Sequence, residues 1–341
     1  MIEMSIEDKI EILEDFLRNR KCVLAFSAGS DSTLLAYILS RVSPDSLLVT
    51  VNNNMMPKEF VDYTVEKAKE FNLRHKTIEL NFLNNQTFID NGIDRCFECR
   101  KLMYGNIQNL PDFEDYDYFI EGTNITDLLE NRPGVLVRKM YNMTSPLVEC
   151  KITKDEVYEM IKYFNLEYSY DTTCLATRVK TDQQVNQKRL DLIYNAEKLV
   201  KSKLQQENIR VRFNDYAASV TVDNPLELLD EKLILELRDS LQEYGFKKVF
   251  IDVTGYEKTK LEASVDDEGR YYYKLPYTVN LEKTYAKIMN DKELDKSLKY
   301  DEKIVYDDMT IEENGKISML PTEDFVNKLN DILRHIERKS I

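Results

Sequence analysis

Apolar residues in the first half of the chain fall into two alternating patterns. Ser5 and Asp8 mark a helix start, and Ile6, Ile10, Leu13 and Leu17 share one face of a helix that the spacing carries through Arg20. A short apolar run over 22–26 reads as a buried strand, followed by a turn of small polar residues over 27–32. A helix comes next, with Leu34, Leu35, Ile38 and Leu39 inward. The alternation continues with a strand over 47–51, a helix over 58–71, a strand over 76–80, a helix around Leu102 and a strand over 118–121. A further helix is opened by Thr153, with Glu156 as its capping partner. This order predicts an α/β fold, a doubly wound parallel sheet with its ligand at the carboxyl ends of the strands.

The texture changes near Asp182. A long helical stretch reaches Gln206, and strands over 209–213 and 217–222, a helix and a strand over 248–253 predict a smaller α/β unit. Residues beyond Lys260 are rich in Tyr, Asp, Glu and Lys and end in a helix with Phe325, Leu329, Ile332 and Ile336 on one face. The expected division is a nucleotide domain over 1–180, a small α/β domain over 181–260 and an extension over 261–341.

Composition narrows the function. The chain has 341 residues, 43% of them hydrophobic and 32% charged, the balance of a soluble globular protein with room for more than one core. No run approaches the ~18 apolar residues that span a bilayer. The acidic, amphipathic start is unlike a basic leader, so a cytoplasmic protein without membrane contact is expected. Sixty-one acidic residues against 47 basic ones give a net charge of −14, a field that repels polyanions and disfavours a long nucleic-acid substrate. With His75 and His335 the sole histidines, chemistry passes to carboxylates, cysteines, lysines, arginines and backbone. The five cysteines, Cys22, Cys96, Cys99, Cys150 and Cys174, read as metal-binding or reactive residues plus buried ones, not as a disulfide framework.

Ser27-Ala-Gly-Ser-Asp-Ser32 lies between a strand and a helix, so its backbone N–H groups and the helix N-terminus converge on an anion-sized space. Ser27, Ser30 and Ser32 add hydroxyl donors, and Gly29 lets a phosphate approach the backbone. Asp31 beside phosphates implies a bridging divalent cation, magnesium. An ordinary capped turn uses the same residue types, so composition alone leaves both readings open. The six residues resemble the SGGxDS fingerprint of PP-loop ATP pyrophosphatases, which cleave ATP between the α and β phosphates and pass AMP to a substrate. Ala28 departs from the family's glycine, so that position is expected to take a conformation a Cβ tolerates.

Cys96-Phe-Glu-Cys99 precedes a helix, and Cys174 lies far downstream in a polar segment. Taken alone, a C-x-x-C pair fits a redox couple, half a metal site or chance. The chain resembles the ATP-dependent sulfur transferases called LarE, which insert sulfur into a pyridinium mononucleotide during nickel-pincer nucleotide synthesis. The likeness is carried by Asp94-Arg-Cys-Phe-Glu-Cys-Arg100, Glu121-Gly-Thr-Asn124, Asn131-Arg-Pro-Gly134, Ser145-Pro-Leu147 and Cys174-Leu-Ala-Thr-Arg178. It continues more weakly through Ile209-Arg-Val-Arg212 and Ile251-Asp-Val-Thr-Gly-Tyr256, and spans about residues 8–260.

The resemblance implies that Cys174 is the sulfur centre and that Cys96, Cys99 and Cys174 hold a [4Fe-4S] cluster with one iron open for hydrosulfide. Single-cysteine relatives instead sacrifice the residue matching Cys174. Gly122, Thr123 and Asn124 fall where the family holds nucleotide, and Asp127 and Arg132 follow in the same loop. Arg210 and Arg212, alternate residues of a strand, share one face and suit a substrate phosphate or carboxylate, and Arg178 joins them as a candidate. Each arginine also has a plain surface-charge reading. Cys22 and Cys150 read as core residues. The expected activity is AMP- and pyrophosphate-forming sulfur transfer, from sulfide or a sulfur donor, to a small anionic nucleotide-like substrate, by a homo-oligomer. The rivals are a tRNA-thiolating enzyme, a nucleotide-binding sensor without turnover and a nitrogen-transferring ligase.

Overall fold

The computed structural model describes residues 4–111, 113–130, 137–170, 173–204, 206, 208–256, 262–291 and 298–339. Cys22–Ala25 (β1), Leu47–Asn52 (β2), Arg74–Glu79 (β3), Tyr118–Ile120 (β4) and Met143–Thr144 (β5) form a parallel sheet in the order β3-β2-β1-β4-β5. β1 and β2, in the middle of the sheet, are apolar on both faces because both faces are covered, whereas the edge strand β3 is polar. Cys22, Leu24 and Leu48 point into a core with Leu13, Leu17, Leu34, Ile38 and Met160, supplied by the helices Ile6–Leu17, Ser30–Val42 and Lys154–Tyr163. Val23, Val49 and Val51 face the other way, toward Tyr104 and Ile107 of the helix Arg95–Gln108. The fold is the doubly wound α/β class expected from the alternation. Its strand order reverses between β1 and β4, which opens a crevice at the strands' carboxyl ends.

Both expected capping boxes form, Ser5 with Asp8 and Thr153 with Glu156. The first helix stops at Leu17 rather than Arg20, because Arg18 leaves helical geometry at ψ 127° and Asn19 follows at φ 57°, a turn closed by the Arg20 N–H on the Leu17 carbonyl at 3.2 Å. The long helix Gln187–Lys203 likewise ends short of Gln206, with Leu204 already extended.

A second sheet joins Arg210–Asn214 (β6), Ala217–Thr221 (β7) and Lys248–Ile251 (β8), packed under Gln187–Lys203 and the helix Glu231–Tyr244. Its core is not self-contained. Met55, Phe82, Phe88, Leu175, Ala176 and Val179, all outside this sheet and its helices, are buried in it. A third sheet, invisible in the sequence pattern, holds six antiparallel strands. They are Ser264–Val265 (β9), Tyr271–Lys274 (β10), Leu298–Tyr300 (β11), Ile304–Tyr306 (β12), Met309–Ile311 (β13) and Lys316–Met319 (β14), in the order β11-β12-β13-β14-β10-β9. The helices Leu281–Asn290 and Phe325–Leu333 cover it, and Ile125, Leu128, Leu129 and Val148 are buried in the same cluster. The Tyr277 hydroxyl donates to the Leu128 carbonyl at 2.6 Å. Among the described residues no helix is long and apolar enough to cross a membrane.

Candidate active site

The phosphate-loop residues Ser27 to Ser32 leave β1 and enter the helix Ser30–Val42. Gly29 caps that helix with no side-chain hydrogen bond, so the first-turn N–H groups are not engaged by a capping side chain. Within the loop the Ser27 and Ser32 hydroxyls lie 3.2 Å apart, and the Ser32 hydroxyl donates to the Gly29 carbonyl at 3.2 Å. Ala28 takes a conformation that a Cβ tolerates at some cost. It sits in the left-handed region at φ 55°, where a Cβ costs about 1–2 kcal/mol. Its methyl is fully buried and its carbonyl accepts from the Ser169 N–H at 2.9 Å, contacts that offset the strain.

Asp31 meets partners from two other elements. The Asn124 side-chain amide donates to one carboxylate oxygen at 2.9 Å, and the Lys154 ammonium pairs with the other while reaching the Ser30 hydroxyl at 2.8 Å. Sequence reasoning missed Lys154, since a lysine at the first position of a capped helix reads as solvent-facing. Burial pulls its pKa down, but the charge and hydrogen bond of Asp31 outweigh that and leave it above the ordinary lysine value. Gly122 is needed for this approach: a Cβ there would lie 3.0 Å from the Asp31 Cβ and 3.3 Å from the Ser32 nitrogen. Asn124 and Asp127 close a reciprocal turn, each backbone N–H donating to the other's side chain at 3.1 Å. Arg132 lies outside the described residues.

Cys96 and Cys99 sit on one face in the first turn of Arg95–Gln108. Arg95 brings the distant cysteine to them: it donates to the Ala176 carbonyl at 3.0 Å, while the Leu175 N–H bonds the Met55 carbonyl at 2.8 Å. Cys96, Cys99 and Cys174 therefore line one cavity of about 540 Å³ together with Ser27, Ser30, Asp31, Ser32, Thr123, Asp127, Lys154 and Arg210. Burial raises the thiol pKa of Cys99, and the neighbouring Cys174 and Cys96 raise it further. Burial also raises that of Cys174, against a backbone hydrogen bond at Ala176 and the charge of Arg95. Converging soft donors that repel one another as thiolates suit a shared thiophilic cation. Among the described residues no group of three or more such donors closes on a single ion, so the sulfurs border a space rather than a point. Cys22 and Cys150 are buried in the core, where desolvation pushes each thiol up to about 12.

The three expected arginines separate. Arg210 is buried against the cavity, donates to the Thr173 hydroxyl at 3.1 Å and lies over the Tyr256 ring. Arg212 shares its face of β6, as the alternation requires, but borders a different cavity with Thr221, Asp252 and Thr254. Arg178 is buried away from the cavity; it pairs with Glu197 at 2.9 Å and donates to the Cys174 carbonyl at 3.3 Å, which makes it a positioning residue. Glu121, beneath the loop after β4, is buried among Thr123, Ser145, Arg100 and Arg138. Burial would raise its carboxyl, yet the two guanidiniums and two hydroxyls hold it below the usual glutamate value.

No protein-family model matches the chain. It is 29% identical over 245 residues to an uncharacterised protein of Methanocaldococcus jannaschii, covering 72% of this chain and 94% of that one. It is 23% identical over 248 residues to the pyridinium-3,5-bisthiocarboxylic acid mononucleotide synthase of Lactiplantibacillus plantarum, covering 71% and 89%. A tRNA(Ile)-lysidine synthase of Campylobacter jejuni is 29% identical over 185 residues, covering 49% and 54%. The named relatives belong to the PP-loop ATP pyrophosphatases, and the chain is similar to them. Those named relatives are ATP-using synthases, which supports an enzyme.

Proposed function

We propose that the chain is an ATP-dependent sulfur transferase that adenylates a carboxylate of a small anionic substrate, a pyridinium dicarboxylate mononucleotide, and replaces oxygen with sulfur. The observation that carries this reading is the single cavity bordered by the phosphate loop, three cysteines and Arg210. One relative's name specifies a bisthiocarboxylate of that ring. The net charge of −14 weighs against a tRNA substrate.

ATP phosphates lie on the loop N–H groups, with Lys154 neutralising them, and Asp31 would hold a magnesium ion that adds to that neutralisation. A substrate carboxylate oxygen bonds to the α phosphorus as the bond to the pyrophosphate oxygen breaks, giving an acyl-adenylate and pyrophosphate. Sulfide then adds to the carbonyl carbon, AMP departs with the electron pair of the C–O bond, and a thiocarboxylate remains. Cys96, Cys99 and Cys174 would hold a [4Fe-4S] cluster, which would supply the sulfide. Arg210 orients the anionic substrate, and Arg178 fixes the Cys174 backbone.

Anaerobically prepared protein is expected to carry about four irons and four sulfides. With ATP and the pyridinium dicarboxylate it should yield thiocarboxylate over repeated turnovers, every cysteine intact by mass. A loss of about 34 Da at Cys174, the mass of hydrogen sulfide, shows instead that this residue gave up its own sulfur. Absence of any thiocarboxylate sinks the reading.

A further inference from the structure

Three tyrosines stand in a row along the cavity wall beside the phosphate loop. The ring centroids of Tyr158 and Tyr168 are 6.2 Å apart at a tilt of 33°, and those of Tyr168 and Tyr170 are 4.5 Å apart at 47°. All three border the space that holds Cys174 and Arg210, and Tyr158 and Tyr170 are exposed. Cations already lie on tyrosine faces here: the Lys154 ammonium is 5.1 Å from the Tyr158 centroid, and the Arg210 guanidinium is 5.8 Å from that of Tyr256. An aromatic face is electron-rich, and it attracts a cation within about 6 Å of its centroid.

We propose that Tyr168 and Tyr170, with Tyr158 next in the row, form the wall against which a flat, positively charged ring of the substrate lies. This inference rests on the function proposed above and names the feature of the substrate that the chain selects. The reacting carboxylate must reach both the phosphate loop and the sulfur source. The row suits that need, because it begins at Tyr158 under Lys154 and all three rings border the cavity that the phosphate loop and Cys174 also line. An anionic tail on the ring then falls to Arg210. A neutral ring of the same shape keeps the stacking and loses the charge attraction, so the wall discriminates between the two.

The test is calorimetric binding to the full chain, without ATP, of nicotinate mononucleotide and of its dihydropyridine form, which keeps the ring atoms and loses the positive charge. The charged form is expected to bind about tenfold more tightly. Tyr170→Leu, at an exposed position, should erase most of that ratio, while Tyr170→Phe and Tyr168→Phe retain the π face and most of the preference. Equal binding of the two forms, no binding of either, or an unchanged ratio in Tyr170→Leu overturns the wall. A rise in the ATP KM alone also overturns it, since the row would then serve adenine. The two readings fail separately. A tyrosine-dependent charge preference without sulfur transfer leaves the wall and removes the function, whereas sulfur transfer by Tyr170→Leu at an unchanged substrate KM does the reverse.

Discussion

At the scale of single residues the loop over 27–32 turns on a charge pair that only the folded chain displays. Asp31 and Lys154 are far apart in sequence, and the Asp31 carboxylate holds the Lys154 ammonium charged while both face the cavity. Charge stabilisation of this kind is worth several kcal/mol in a site that excludes water. Asp31→Asn and Lys154→Met should each lower pyrophosphate release by at least ~100-fold, with the circular dichroism spectrum preserved. Near-normal release by either variant would remove that residue from the phosphate chemistry. Glu121 gives a second prediction, in pH. Its folded pKa lies below the ordinary glutamate value, so its stabilisation is complete above that value and is lost as pH falls through the folded pKa. Glu121→Gln leaves Arg100 and Arg138 without their carboxylate. Denaturant titration should show about 3 kcal/mol less stability at pH 7 and a flatter acid limb. A variant with unchanged acid dependence would show that the network contributes nothing.

At the scale of elements, legibility in the sequence followed burial. The apolar runs at 22–26 and 47–51 announce β1 and β2 because both faces of the parallel sheet are covered, and the capping boxes at Ser5 and Thr153 announce helix starts chemically. The third sheet has no such signature. Its strands are two to four residues long and built of residues such as Lys-Ile-Ser-Met and Tyr-Tyr-Tyr-Lys, too short for a period-two pattern to stand out. The site was legible as motifs and illegible as contacts. Cys96, Cys99, Cys174 and the phosphate loop could be named from spacing and resemblance, but the tie from Arg95 to the Ala176 carbonyl exists only once the helix and the distant loop pack together. Ala28 shows a further limit, since the sequence required only a conformation that a Cβ tolerates, and tertiary contacts select the left-handed one.

At the scale of the whole molecule the three sheets are coupled by shared cores, and that coupling reaches the loop over 27–32. Ile125 is fully buried among Val279, Ile311, Leu329 and Ile332 of the third sheet's cluster, and it directly follows Asn124, whose amide holds Asp31. Its backbone N–H donates to the Ile152 carbonyl at 3.0 Å, close to the start of the helix that carries Lys154. A side chain that anchors the loop from one side and the third sheet from the other should transmit damage both ways. Truncating a buried isoleucine to alanine costs about 2–5 kcal/mol through lost burial and a residual cavity. Ile125→Ala is therefore expected to lower the thermal midpoint of the entire chain in one transition and to raise the KM for ATP, although Ile125 is absent from the cavity lining. Calorimetry and pyrophosphate-release kinetics read the two effects. Two separated transitions, with the ATP KM unchanged, would mean that the residues after 262 fold and melt as an independent unit and lend nothing to the nucleotide site.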